Sequence, residues 1–177
     1  MRIIGGLYKG RIINPGKKFK DRPTTDKGKE ALFNILENRY NMPEIKVLDL
    51  FSGSGSIAYE FISRGAKEVV MVEKNYNHFK FIRETLKNLD MRNGVAVKSD
   101  SFQYIKKCMD KFDIIFADPP YSLENLKDIP DTIFDSGILP DKGLLILEHP
   151  ASYNFSNHPH FFELRQYSKV NFSFFRN

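Results

Sequence analysis

From Ile45 to Glu148 the chain alternates short apolar, β-branched runs with segments of helical periodicity. No other feature constrains the fold as strongly. Strand–helix–strand alternation implies parallel neighbours, with helices covering both faces of one sheet. The pattern predicts strands at Lys46–Leu50, Glu68–Val72, Gly94–Lys98, Phe112–Ala117 and Leu144–Glu148. It predicts helices at Ser56–Ser63, Tyr76–Leu89, Phe102–Met109 and Leu123–Phe134, with Pro130 as a break in the last. Tyr76, Phe79, Ile82, Leu86 and Leu89 form an apolar stripe read as core. Residues 151–159 read as loop. His160–Gln166 and Lys169–Phe175 read as strands close in sequence, hence antiparallel. The apolar tail from Val170 is expected to insert into the sheet, so deleting it should expose core.

Two motifs fall at predicted strand ends. In the first, Val47-Leu48-Asp49-Leu50 runs into Phe51-Ser52-Gly53-Ser54-Gly55-Ser56. Glycine lets a ligand approach the backbone closely. Glu73, ending the next strand, can accept from both hydroxyls of a ribose. Lys74 follows it. Asp100 can accept from an adenine amino group, Ser101 follows, and Phe102 can cover that ring. The same glycines fit a dinucleotide fingerprint. Asp49, however, would repel a pyrophosphate and can pair with the ammonium group of S-adenosylmethionine. The combined pattern favours that cofactor over a nicotinamide.

The second motif is Asp118-Pro119-Pro120-Tyr121. Neither proline can donate a ladder hydrogen bond, so the strand stops there. Asp118 and the Pro119 carbonyl are acceptors for the two hydrogens of a planar NH2 group. Tyr121 offers a face for stacking an extruded base. Pro120 stiffens the turn. No metal is needed for this chemistry. The four carboxylates Asp49, Glu73, Asp100 and Asp118 are expected along one sheet edge.

Charge is unevenly placed. Residues 1–20 hold Arg2, Lys9, Arg11, Lys17, Lys18 and Lys20 and no acid, whereas the whole chain is +5. With Arg22, this stretch is a candidate RNA-backbone contact. Residues Arg2 to Ile13 read as a β-hairpin with its turn near Leu7–Gly10, and Pro23-Thr24-Thr25-Asp26 as a helix start running to about Asn38. Leu32, Ile35 and Leu36 lie on one face of that helix. The expected organisation is an extension over residues 1–43 and a catalytic domain over 44–177. A lone Cys108 favours the reducing cytoplasm. No apolar run approaches the ~20 residues of a membrane span, so membrane contact is not expected. His78, His149, His158 and His160 read as surface or capping residues.

The chain resembles the RsmD family, bacterial methyltransferases that act on the exocyclic N2 of one guanine in small-subunit ribosomal RNA. The resemblance spans nearly the full length. It rests on Arg2-Ile3-Ile4-Gly5-Gly6, Tyr8-Lys9-Gly10-Arg11, Arg22-Pro23-Thr24-Thr25-Asp26, Lys29-Glu30-Ala31-Leu32-Phe33-Asn34, Ser63-Arg64-Gly65-Ala66 and Glu148-His149, beside the two motifs above. Lys27, Gly28 and Ser168 depart from the family pattern. The resemblance implies a class I S-adenosylmethionine-dependent methyltransferase fold. That is a Rossmann-like α/β sheet of parallel strands with a C-terminal antiparallel hairpin, plus a small N-terminal hairpin and helix. It also implies that Thr25 lies near the methionine end of the cofactor. The expected partner is ribosomal RNA, within a small subunit or its assembly intermediate, and a monomer is expected. An adenine-N6 methyltransferase, a nicotinamide oxidoreductase and a non-catalytic RNA-binding assembly factor stay open as alternatives.

Overall fold

The computed structural model describes residues 1–16, 19, 25–167 and 170–176. In chain order the elements are α1 (Asp26–Arg39), β1 (Lys46–Leu50), α2 (Ser56–Ser63), β2 (Glu68–Glu73), α3 (Tyr76–Asn88), β3 (Gly94–Lys98) and α4 (Ser101–Lys107). Then follow β4 (Ile114–Ala117), α5 (Ile129–Ser136), β5 (Leu144–His149), β6 (Phe161–Tyr167) and β7 (Val170–Arg176). Short 3₁₀ turns precede β1 and α5.

Among the described residues the strands form one sheet ordered β3-β2-β1-β4-β5-β7-β6. The first five are parallel, and β7 inserts antiparallel between β5 and β6. The expected α/β sheet with its C-terminal hairpin is therefore present. Strands β1, β4 and β5 are buried on both faces, as their unbroken apolar runs require. One face packs α1, α2 and α3 through residues such as Leu32, Phe33, Ile57, Phe61 and Ile82. The other packs α4 and α5 through residues such as Ile105, Ile129 and Ile133. Phe172, Phe174 and Phe175 of β7 are fully buried, two facing the first layer and one the second.

Several boundaries differ from expectation. β4 begins at Ile114, because Phe112 and Asp113 bond instead to Ile138 and Lys46 as connections. The helix expected from Leu123 starts only at Ile129. Pro130 sits in its first turn, where the missing N–H costs nothing, so it opens the helix rather than breaking it. The α3 stripe is buried core at Ile82 and Leu86 and packs on the core at the partly buried Leu89; Tyr76 is exposed at the helix start.

The N-terminal segment is less regular than a hairpin of two strands. It is a loop closed by one antiparallel bridge, Arg2 to Ile12, with Ile3 N donating to Arg11 O and Gly10 N to Ile3 O. Its Ile3 and Ile13 belong to the same core as α1 and α2. A buried charged cluster ties it down. Glu60 of α2 is fully buried and accepts from Lys29 Nζ (3.0 Å) and from Ile4 N (2.8 Å). Arg64 pairs with the other Glu60 oxygen and with Glu37, and its guanidinium lies 4.3 Å from the centre of the Phe33 ring. Lys29 also donates to the Arg2 carbonyl. The Lys29 block and the Ser63-Arg64 block are thus two halves of one clamp.

Candidate active site

β1 and β4 are adjacent and parallel, with Leu50 beside Ala117. The chain winds one way from β1 to β2 and β3, then crosses back to β4. This is the topological switch point, where open α/β sheets bind ligands. The Gly-rich turn follows Leu50 and the Pro-Pro turn follows Ala117, on strands about 4.8 Å apart.

The Gly-rich turn is tightly held. Ser52 N donates to Val72 O, Gly55 N to Ser52 O and Ser52 Oγ to Asp49 O. Phe51 has φ +62°, a left-handed conformation that side chains rarely adopt and that clusters at functional sites. Gly55 has φ +83°, and a Cβ there would lie 2.6 Å from Met71 Cε and 2.8 Å from the Tyr59 ring. Gly53 is different: a Cβ there would meet only Phe51 O at 3.9 Å. Gly55 is therefore small for packing, and Gly53 faces space that a ligand can enter. Ser56 Oγ, at the start of α2, is buried with no hydrogen-bond partner among the described residues.

Glu73 ends β2 and clamps the turn. Its Oε2 accepts from Gly53 N (2.8 Å) and its Oε1 from Asn75 N (2.6 Å). Each oxygen retains a second lone pair for a hydroxyl. Asp100 lies two residues past β3 and caps α4, its Oδ1 accepting from Phe102 N and Gln103 N. Its Oδ2 pairs with the exposed Lys74 at 3.1 Å. Burial raises its carboxyl, but the Lys74 hydrogen bond and the α4 amides outweigh that and hold it below the usual range. Ser101 is buried in the first turn of α4. Phe102 meets Phe51 edge-on with ring centres 6.3 Å apart. Thr25 caps α1, its hydroxyl accepting from Gly28 N at 3.2 Å, so the helix starts well despite Gly28.

Asp49 is not at the strand end. It lies inside β1, beside Met71 and Phe116, with 2% of its surface exposed. Burial, and secondarily the Glu73 charge, push its carboxyl up to about 8 against the opposing Ser52 hydrogen bond. A buried carboxylate in this state favours an incoming cation. The donor set suits a cationic adenosyl cofactor: open space at Gly53, acceptors at Glu73 and a carboxyl that gains by pairing.

Asp118 is half-buried, Pro119 buried, and Pro120 and Tyr121 exposed. Leu123 N donates to Pro120 O (2.8 Å) and closes the turn. The Tyr121 ring, 49% exposed, is available for stacking. Its hydroxyl is pushed up to about 12 by burial and then by the charges of Glu148 and Asp118, so it stays a neutral phenol. Glu148 was not among the candidate residues. It stands one step past the Ala117–Leu147 pair, and so beside Asp118 in register. A carboxylate at the end of the all-apolar run Leu144-Leu145-Ile146-Leu147 was the available signal.

His149 corrects the reading of the histidines as superficial. It is buried, with Nε2 2.8 Å from Ser173 Oγ and Nδ1 3.0 Å from Pro150 O. Burial lowers its pKa, so the ring is neutral. It ties β5 to β7 rather than capping a surface. Among the described residues, the basic side chains Arg2, Lys9 and Arg11 lie at separate places. Arg2 is paired with Asp26 at 2.8 Å near the α1 start. Lys9 is in the exposed tip of the N-terminal loop, and that tip bonds Ser63 at the end of α2 and Asp90 after α3. Those helix ends lie opposite the carboxyl edge of the strands. Arg11 is exposed between the two. Lys17, Lys18, Lys20, Arg22 and Ser168 lie outside the described residues.

Comparison with known proteins agrees with this architecture. A putative rRNA methyltransferase, YlbH, of Bacillus subtilis is 31% identical over 153 residues, covering 84% of this chain and 82% of its own. The ribosomal RNA small subunit methyltransferase D of Escherichia coli K12 is 30% identical over 148 residues, covering 84% and 74%. The solved structure of the putative methyltransferase yhhF from Escherichia coli superposes with a TM-score of 0.86 at 27% identity, covering 100% and 97%. A family profile described as conserved hypothetical protein 95 matches residues 1–176. The chain belongs to that family, the RsmD family.

Proposed function

We propose that the protein methylates the exocyclic N2 of a guanine in small-subunit ribosomal RNA, with S-adenosylmethionine as donor. The observation that carries this reading is the pairing of β1 with β4. It sets the Gly-rich cofactor turn beside Asp118-Pro119-Pro120-Tyr121. The names of the RsmD relatives supply the RNA class.

The bound cofactor supplies an electrophilic methyl group on a sulfonium. Asp49 would hold its ammonium group and Glu73 its ribose hydroxyls, and Phe102 would cover its adenine. An exocyclic amine is a poor nucleophile, because its lone pair is delocalised into the ring. Asp118 and the Pro119 carbonyl would accept hydrogen bonds from its two hydrogens and aim the lone pair at the methyl group; as the N–C bond forms the C–S bond breaks, a neutral thioether leaves, and the surplus N–H proton passes to Asp118 or to water. Tyr121 stacks on the extruded base. Positioning and fixed acceptors then supply most of the rate. Residues of the N-terminal stretch hold the RNA backbone. The lone thiol fits a reducing, cytoplasmic setting.

Mass spectrometry of nucleosides tests the reading. Unmodified small subunits and naked ribosomal RNA are each incubated with protein and cofactor. N2-methylguanosine is the expected product, and the better substrate shows whether an assembled particle is read. N6-methyladenosine would overturn the substrate, and no methylation despite cofactor binding would favour an assembly factor.

Asp49 gives a second, separate prediction. Its carboxyl is mostly protonated below pH 8 in the free protein, and ammonium binding favours the charged form. Affinity is therefore expected to rise from pH 6 towards 8, by up to ~10-fold per unit. It should fall again as the α-amino group of the cofactor loses its proton, near ~8. Titration calorimetry across this range checks it, and Asp49→Asn should flatten the rising limb.

A further inference from the structure

We infer that a basic cavity at the rim of the sheet opposite Asp118 is a second RNA contact, in which Arg176 and Lys142 grip a backbone phosphate. The inference rests on the RNA reading above and adds where the RNA is held. The cavity, of about 350 Å3, opens between the end of α1 and the starts of β5 and β6, and is lined by Arg39, Lys142, Phe162 and Arg176. Arg176 pairs with Leu144, and Leu144 with Ile114, four residues before Asp118. β6 is irregular here, its register against β7 shifting between Phe161 and Glu163. Successive residues of a regular strand point to opposite faces. Phe162 and Glu163 instead both meet Arg39, the first with its ring centre 5.5 Å from the guanidinium and the second in a 3.0 Å ion pair. The bulge thus aims Phe162 towards the α1 side. There its ring, 38% exposed, carries the Arg176 guanidinium 3.5 Å from its centre.

The ring holds Arg176 in place without using its N–H donors. Among the described residues neither Arg176 nor Lys142 has an ion pair or a side-chain hydrogen bond, and both are exposed. Four cations, Arg39, Lys142, Arg165 and Arg176, stand here against two carboxylates, Asp141 and Glu163, which leaves a charge of +2. Tyr40 also lines the cavity. Burial raises its hydroxyl against the pull of the Arg39 and Arg176 charges, so it stays a neutral donor. Unmatched positive charge, a guanidinium fork and a spare O–H suit phosphate oxygens. The tip of the N-terminal loop, with Lys9, lies on the same rim, so a run of phosphates can reach both places. A single carboxylate of a protein partner cannot.

The test is the salt dependence of binding to unmodified small subunits and to naked ribosomal RNA. One phosphate contact contributes about 0.7–0.9 to the slope of log K against log[salt]. The double variant Lys142→Gln, Arg176→Gln is expected to lose about that much slope. Over the decade from about 1 M down to about 0.1 M salt, this makes its binding ~5- to 8-fold weaker. Single-turnover transfer at saturating RNA should be unchanged, because the cavity lies at the other rim from Asp118. Lys142→Gln alone, in an exposed turn, should move the slope the same way even if losing Arg176 from Phe162 disturbs β7. Lys80→Gln removes an equal charge from α3, which packs on β3 at the other edge of the sheet, and should leave the slope alone. An equal change in Lys80→Gln would reduce the effect to net charge and overturn the inference, as would an unchanged slope in the double variant. If millimolar inorganic phosphate raises the melting point of the wild type but not of the double variant, while their RNA slopes agree, the cavity takes a free anion and the inference falls. Weakened binding of assembled subunits alone, with naked RNA unaffected, would assign the cavity to an acidic protein and overturn it too. A wild-type protein that neither binds nor methylates small-subunit RNA would instead remove the parent reading, before any variant is compared.

Discussion

Replacing Asp118 with alanine is expected to lower single-turnover methyl transfer by ~10³-fold or more, with cofactor affinity unchanged. Acceptors and donors fixed at a reacting centre are worth about 10² to 10³ each in rate. Asp118 does two things at once in the proposed geometry. It holds the amine within reach of the methyl group, and it polarises the N–H bonds so that density builds on the nitrogen as it turns pyramidal. The cofactor turn has supports of its own. Phe51 to Ser56 is held by Val72, Glu73 and its own internal bonds. Rapid-quench rates with saturating cofactor, set beside calorimetric affinity, measure the two effects separately. Lost affinity would move Asp118 out of the acceptor role and into support of the cofactor pocket. Full activity would remove it from the chemistry.

Glu60→Ala is expected to destabilise the fold by about 3–5 kcal/mol, because it strands a buried cation. Lys29 is 1% exposed, and without Glu60 it would keep only the more distant Asp26, at 3.7 Å, and the Arg2 carbonyl. Arg64 and the Ile4 N–H lose the same partner. For a chain of this size the loss corresponds to a melting point lower by about 10 °C. The damage should spread from the N-terminal loop, since Ile4 N–H is the backbone group left unmet. Thermal melting gives the magnitude, and amide exchange at Ile4 gives the place. Pairing Glu60→Leu with Lys29→Met should recover much of the loss, because removing both partners avoids an uncompensated charge. An unchanged melting point for Glu60→Ala would show that water or Glu37 replaces the carboxylate.

The sheet was legible because strands buried on both faces must be apolar throughout. Ile114-Ile115-Phe116-Ala117 and Leu144-Leu145-Ile146-Leu147 admit no other reading once helical segments separate them. The start of α1 was legible through its cap Thr25, whereas that of α5 was not. The glycine and proline turns were legible because their backbone chemistry is local. What failed was long-range. Nothing local in Lys29, Glu60 and Arg64 says that they meet, and helix periodicity alone would leave such charges in water. His149 likewise looked like a terminal residue of a strand. It is buried because Ser173, 24 positions along the chain, offers it a partner. Asp49 and Asp100 show the same limit. The sequence places them near strand ends, but only the folded chain shows one as a desolvated carboxyl and the other as a helix cap paired with Lys74.

The position of the N-terminal loop sets a length for anything that touches both ends of the molecule. Its tip, with Lys9, lies against the ends of α2 and α3, while Asp118 lies at the opposite rim of the sheet. The five residues of β1 separate those rims by roughly 17 Å. An RNA gripped at the tip that also delivers its base to Asp118 must hold its shape over that distance. The sheet then acts as a ruler, and an RNA too short or too limp to cross it reaches only one end.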